Sequence, residues 1–247
     1  METDISMKKT NNMWILEPHG NLRECDSGRM NLNLLWQQGN VYVMDNHLAA
    51  GWCWLNSLNR DEEYCFYHVD QHQDLCDNAP RAIIEPIRNN SITLEDYCGL
   101  SFELNGEMQK AFTWDNYIKQ VQSFYPQWFT DCHFACHSCY NDSNCSNPLN
   151  ITMYTDFFDL YESISCQVKG TGKKWIFNLD VDYFYKDGKQ IATDYYISQV
   201  AEDIRHALPN LACITIALSP ECCGGWDNAV RAYNIIAATL NIKKLSL

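Results

Sequence analysis

Four short apolar runs, each closed by a segment rich in Asp, His or Glu, constrain this chain more than any other feature. Val41 to Met44 ends at Asp45-Asn46-His47, and Tyr64 to Val69 ends at Asp70-Gln71-His72-Gln73-Asp74. Trp175 to Leu179 ends at Asp180-Val181-Asp182, and Ala212 to Leu218 ends at Ser219-Pro220-Glu221. Each run is rich in Val, Ile, Phe or Tyr, too short for a helix, and apolar enough to need cover on both faces of a strand. Trp14 to Leu16 is a further strand candidate. Two helical patterns follow the later strands. Ile197, Val200, Ala201, Ile204 and Leu208 share one face behind Thr193 or Asp194 as cap. Val230, Tyr233, Ile236, Ala237 and Leu240 do the same behind Asp227 as candidate N-cap. Strands alternating with helices predict an α/β fold: three layers, with a central, mainly parallel sheet flanked by helices. One domain is expected over residues 1–247, with a region of helices and long loops inserted from about Cys76 to Gly170.

Charge narrows the class of partner. The chain carries 31 acidic against 18 basic residues, a formal charge of −13. Nucleic acid is excluded as an expected partner, because phosphate binding needs a basic surface. A cationic substrate or a metal suits this balance, as does simple solubility. No segment has the run of apolar residues that a membrane span needs. Met1 to Asn12 is polar, without the apolar stretch of a signal peptide. The expectation is a cytoplasmic protein whose thirteen cysteines are mostly reduced.

In an open parallel sheet the crevice forms at the carboxyl ends of the strands. The polar segments that close the four runs are therefore expected to converge. Four buried carboxylates with two imidazoles would repel one another unless cations were present. Carboxylate oxygens with neutral imidazoles suit Mn, Fe, Co, Ni or Zn. Asp-x-His-x-Asp places three donors within five residues, and Asp-x-Asp aims two carboxylates to one side by the strand period. The candidate metal ligands are His47, Asp70, His72, Asp74, Asp180 and Asp182. Asp45 is either a residue that orients a ligand or a solvated strand-end carboxylate.

These motifs resemble those of the arginase and deacetylase superfamily. Asp70-Gln71-His72-Gln73-Asp74 looks like its Asp-x-His-x-Asp motif, Asp180-Val181-Asp182 like its later Asp-x-Asp, and Asp45-Asn46-His47 like the segment that delivers the first histidine. The pieces VMDNHLAAGW, HVDQHQDL, NLDVDYF and SPECCGGW resemble peptide arginases, which convert arginine side chains of ribosomally made precursor peptides to ornithine. The resemblance covers about two-thirds of the chain and implies two divalent cations, normally Mn2+. One would sit on His47, Asp70, Asp74 and Asp180, the other on Asp70, His72, Asp180 and Asp182, with Asp70 and Asp180 bridging. It further implies that Glu221 holds the guanidinium. Asp227 is the alternative substrate-binding carboxylate, and Asp74, a candidate ligand on the same turn, is near enough to hand a proton to the leaving amine. Gly224-Gly225 would let the Glu221 loop pass close to the ligand.

The sequence departs from the ordinary arginase pattern. The loop that clasps free arginine has no clear match, and Tyr183-Phe184-Tyr185 follows the Asp-x-Asp. The proton-shuttling histidine has only His19, His133 and His137 as candidates. The missing clasp favours a peptide-bound arginine, so the expected partner is an arginine-containing precursor peptide. Two other functions fit the residues: a metal-dependent deacylase or amidohydrolase on the same scaffold, and a non-catalytic metal- and peptide-binding protein. Deacetylase relatives generally lack the second cation set, so His72 with Asp182 argues against the first of these. Separately, Cys136 and Cys139 have zinc-ligand spacing that Cys132 and Cys145 could complete, against the reading of buried or loop thiols.

Overall fold

The computed structural model describes residues 12–76, 79–88, 91–137, 149 and 151–247. In chain order its strands are β1 (Asn12–Leu16), β2 (Leu35–Gln38), β3 (Val41–Met44), β4 (Cys65–Asp70), β5 (Ser101–Leu104), β6 (Glu107–Lys110), β7 (Cys132–Cys136), β8 (Ile151–Tyr154), β9 (Trp175–Asp180), β10 (Tyr185–Lys186), β11 (Lys189–Gln190) and β12 (Leu211–Ala217). The helices are α1 (Leu48–Ser57), α2 (Arg81–Ile84), α3 (Leu94–Gly99), α4 (Tyr117–Phe124), α5 (Leu160–Gly170), α6 (Asp194–Ala207), α7 (Pro220–Cys223) and α8 (Trp226–Leu240).

Eight strands form one sheet in the order β1-β2-β3-β12-β9-β4-β7-β8. From β3 to β8 every neighbouring pair is parallel, and β2 runs antiparallel to both β1 and β3. The strand period divides two cores. Val43, Tyr67, Val69, Phe177, Leu179 and Ile216 pack on the side of α5, α6 and α8. Met44, Phe66, Phe134, Ile176 and Ala217 pack on the side of α1, α3 and α4. This is the three-layer α/β arrangement expected. Burial of a side chain such as Phe66 or Phe177, both at 0% exposure, contributes about 1.5–3 kcal/mol.

Two local expectations change. The 76–170 region is not only helices and loops: β7 extends the sheet beside β4, and β8 lies beyond it. Its Cys132-His133-Phe134-Ala135-Cys136 segment is therefore a core strand, with Cys132 fully buried. Cys139 and Cys145 lie outside the described residues. Helix α8 starts at Trp226 with Gly225 at its cap, so Asp227 lies in the first turn and does not cap it. Helix α6 follows expectation, with the Thr193 side chain accepting the Tyr196 N–H.

The register aligns the strand ends. Ala217 is opposite both Met44 and Asp180, Val69 is opposite Leu179, and Asp70 is opposite Cys136. From β4 the chain moves outward to β7 and β8, then returns through β9 on the other side of β4. Asp70 and Asp180 thus end adjacent strands at a switch in connection direction, where α/β sheets open a crevice. No helix among the described residues is long and apolar enough to cross a membrane, and the described cysteines are free thiols.

Candidate metal centre

His47 ends the turn between β3 and α1, and its Nδ1 stands among three carboxylates. It lies 3.1 Å from Asp70 Oδ2, 3.2 Å from Asp74 Oδ2 and 3.2 Å from Asp180 Oδ2. One imidazole N–H can satisfy one acceptor, so three oxygens around one nitrogen is the geometry of a ligand cluster. A second cluster adjoins it. His72 Nδ1 lies 3.4 Å from Asp70 Oδ1 and 3.2 Å from Asp182 Oδ2. Ligand atoms lie within 4.8 Å of one another in the set His47, Asp70, Asp180, and likewise in the set Asp70, His72, Asp182. Asp70 is common to both, each of its oxygens turned to one set. All six ligands expected from the sequence converge here.

Local backbone structure aims these groups. His72 N–H donates to Asp70 Oδ1 at 2.6 Å, Asp182 N–H to Asp180 Oδ1 at 2.9 Å, and Gln71 N–H to Asp182 Oδ1 at 3.1 Å. Two non-glycine residues at the site have left-handed backbones: Asp74 at φ 54° and Ser219 at φ 41°. Such strain persists where surroundings over-determine it, and it gathers at functional sites. For Asp74 it turns the chain after His72 back toward His47. For Ser219 it brings the hydroxyl onto Asp180 Oδ2, donating at 2.5 Å.

A buried polar layer stands behind the candidate ligands. Thr215 Oγ1 donates to Asn178 Oδ1 at 2.6 Å, and Asn178 Nδ2 lies 2.9 Å from both His68 Nδ1 and Tyr117 Oη. His68 Nε2 faces the His72 carbonyl at 3.2 Å. His68 also forms a close set with Asp70 and Asp74. Its signal was in the sequence, since His68 and Asp70 share one face of a strand. Asp45 is neither solvated nor turned to a ligand. It accepts N–H bonds from Asn33 at 2.9 Å and Leu34 at 3.0 Å, tying down the preceding loop.

The electrostatics show a site short of positive charge. Burial, reinforced by Asp70, pushes the Asp74 carboxyl up to about 7. Burial and Asp182 push Asp180 well above the carboxylate range, and burial and Asp70 raise Asp182. Asp70 goes the other way: burial would raise it, but bonds from His47 and His72 outweigh that and lower it. Contacts with Asp182 and Asp70 push His72 up to about 11. Burial would lower His47, but Asp180, Asp70 and Asp74 outweigh it and raise it well above its ordinary value. The cluster would thus retain protons where cations could replace them. Asp70 Oδ2 is buried, and the donor nearest it, His47 Nδ1 at 3.1 Å, is shared with Asp74 and Asp180. The donor set fits a metal: oxygen and imidazole donors, converging and charge-deficient, with three carboxylate oxygens crowded on one imidazole nitrogen.

A cavity of about 300 Å³ opens on the cluster. Besides the six candidate ligands it is lined by Gln73, Leu75, Cys76, Trp114, Asp115, Ser219 and Cys222. Cys76, Trp114 and Asp115 belong to the 76–170 region, which therefore flanks the site. Glu221 and Asp227 are not in this lining. Both border another cleft with Arg23 and Trp226. Glu221 Oε1 accepts from Ser27 N–H at 3.3 Å, and Asp227 is forked by Arg23 at 2.7 and 3.0 Å on the exposed surface. The close backbone approach at Gly224 is to the Gly188 carbonyl. Among the histidines, His19 is exposed, and His133 is held by Gln167 at 2.9 Å. His137 packs on the Tyr183 ring at 4.8 Å. Sequence reasoning missed His68, Ser219 and Asp115.

No family model matches the chain, and no curated protein matches it.

Proposed function

We propose that this chain is a binuclear-metal hydrolase that converts arginine side chains of a ribosomally made precursor peptide to ornithine, releasing urea, with Mn2+ as the expected cation. One observation carries the reading: two donor sets, His47–Asp70–Asp180 and Asp70–His72–Asp182, share a single carboxylate. A mononuclear deacylase would need only one of the two sets and leave the other idle. Asp74 extends the first set, and the bridging role proposed for Asp180 supplements that of Asp70. Bound as a pair, divalent cations supply an acidified water and Lewis-acid stabilisation of developing charge.

The chain's own residues do the rest. The reaction adds water at the guanidinium carbon and breaks its bond to the side-chain nitrogen, which leaves as the ammonium of ornithine beside urea. Asp74 lines the cavity next to His47, which supports its passing a proton to that nitrogen. Leu75 and Trp114 give the cavity apolar wall for the substrate's carbon stem. Asp180 is held by Ser219 and Asp70 by the His72 N–H, so neither has to reorganise during reaction.

A second reading, hydrolysis of an acyl amide on the same scaffold, draws support from Glu221 being turned away from the cavity. The products separate the two. Manganese-loaded protein is incubated with unacetylated arginine-containing peptides, urea is assayed directly, and the peptides are weighed. Urea equal to the number of arginines losing CN2H2 is expected. An acid product from an acylated peptide, with no urea, would replace the first reading with the second.

A further inference from the structure

We propose that Asp115 is the carboxylate that receives the substrate guanidinium, and that Arg29 occupies this place as an internal stand-in until the substrate displaces it. This rests on the ureohydrolase reading and names its specificity residue. Among the described residues five carboxylates line the cavity; four belong to the candidate ligand set, and Asp115 is the fifth. Among the described residues, a cationic side chain entering the cavity therefore meets one carboxylate outside the candidate ligand set. The Asp115 side chain is 25% exposed, which leaves it open to a ligand.

Asp115 is also held in place. Thr113 Oγ1 donates to its Oδ1 at 2.6 Å, and its carbonyl accepts from Cys76 N–H at 2.8 Å. Asn116 fixes the same turn, accepting the Thr113 N–H at 2.9 Å and donating to the Ala111 carbonyl at 3.0 Å. Oδ2 points at a guanidinium already present, with Arg29 Nη2 3.2 Å away, and the same nitrogen is 3.5 Å from Oδ1. Strong guanidinium–carboxylate bonds are about 2.7–2.9 Å and engage two nitrogens, as Arg23 does on Asp227. The Arg29 pair is longer, uses one nitrogen, and involves a side chain 48% exposed. An ion pair of this kind is weak and readily exchanged. The Arg29 main chain is anchored apart from its side chain: its carbonyl accepts from Trp114 N–H at 3.2 Å, and the Gly28 carbonyl accepts from Asn46 Nδ2 at 2.9 Å. The side chain can therefore leave without moving the loop. A guanidinium arriving on a stem packed along Trp114 and Leu75 could approach Asp115 with both nitrogens.

The test uses the metal-loaded full chain and a fluorescent peptide with one arginine, beside the same peptide carrying uncharged citrulline. Binding is read by anisotropy directly on mixing, urea in the same samples, and metal content by elemental analysis. Asp115→Asn keeps size and should weaken the arginine peptide by about 10- to 100-fold. Citrulline-peptide binding and metal content should hold. Arg29→Gln should tighten the arginine peptide by about two- to fivefold, the worth of an exposed pair. Wild-type discrimination between the peptides in Asp115→Asn would overturn the assignment, and unchanged or weaker binding in Arg29→Gln would overturn the stand-in. Asp115-dependent binding without urea would sink the ureohydrolase reading alone. Urea release with KM unchanged in Asp115→Asn would sink this inference alone.

Discussion

Replacing Asp70 by asparagine removes the one carboxylate that both donor sets share. Its Oδ2 lies 3.1 Å from His47 Nδ1, and its Oδ1 lies 3.4 Å from His72 Nδ1. Losing a partner one shell outside a metal costs about 10- to 100-fold in affinity, so loss of a direct, shared ligand is expected to cost at least about 100-fold at each site. A free cation concentration of about 100 times Kd stabilises the folded state by about 2.7 kcal/mol per site. After a 100-fold weakening the same concentration contributes about 0.4 kcal/mol. With two sites, for a chain of this size, that is a rise in Tm of about 11–22 °C for the wild type against about 2–3 °C for Asp70→Asn. Scanning calorimetry across a manganese titration reads the shift, and elemental analysis after desalting reads stoichiometry. Asparagine retains an acceptor for the His72 N–H, so the metal-free variant should still fold. His72→Ala, which touches one set, should lose about one equivalent. Two equivalents and a wild-type shift in Asp70→Asn would refute the shared-ligand geometry.

Other outcomes rest on the same geometry. Metal-free protein should lose Tm as pH rises from about 4 to above 7: Asp45, pushed up to about 6 by burial, and Asp74, pushed up to about 7, stabilise the fold only while protonated, and together they outweigh the opposing gain from His68, which burial lowers to about 4. Asp70, held low, gives its stability above the ordinary carboxylate value and loses it below, outside that window. Added manganese should give a larger Tm gain at higher pH, since ligands bind deprotonated. A metal-free Tm rising across the window would contradict this. Glu221→Gln should lower kcat/KM for urea release by less than about tenfold, well short of the about 10- to 100-fold expected for Asp115→Asn; the reverse ranking would return the guanidinium to Glu221. Free L-arginine should have a lower kcat/KM than arginine within a peptide, and the opposite result would make the protein a small-molecule ureohydrolase.

The sheet was legible because buried parallel strands need continuous apolar runs, and Val41–Met44 and Trp175–Leu179 have few other uses. The ligand cluster was legible because donors two residues apart near a strand end share a direction, as Asp70 and His72 do. The turn after β12 was not legible. Ser219 takes a left-handed backbone and Pro220 starts a short helix. Ser219 and Cys222, three residues apart, line the cavity, while the intervening Glu221 is turned to Ser27. Nothing in Ser219-Pro220-Glu221 as a string specifies that rotation. Asp115 was hidden for another reason: its place depends on contacts with Cys76 and Arg29, far away in sequence. The strand at Cys132–Cys136 was masked by its cysteines, which read as metal spacing before they read as small buried side chains.

Anomalous diffraction from crystals grown with manganese tests the two-cation centre most directly. Two peaks about 3.5–4 Å apart are expected at the carboxyl ends of β4 and β9, both in contact with Asp70, one against His47 and the other against His72. A single peak, or peaks away from Asp70, would contradict the binuclear centre.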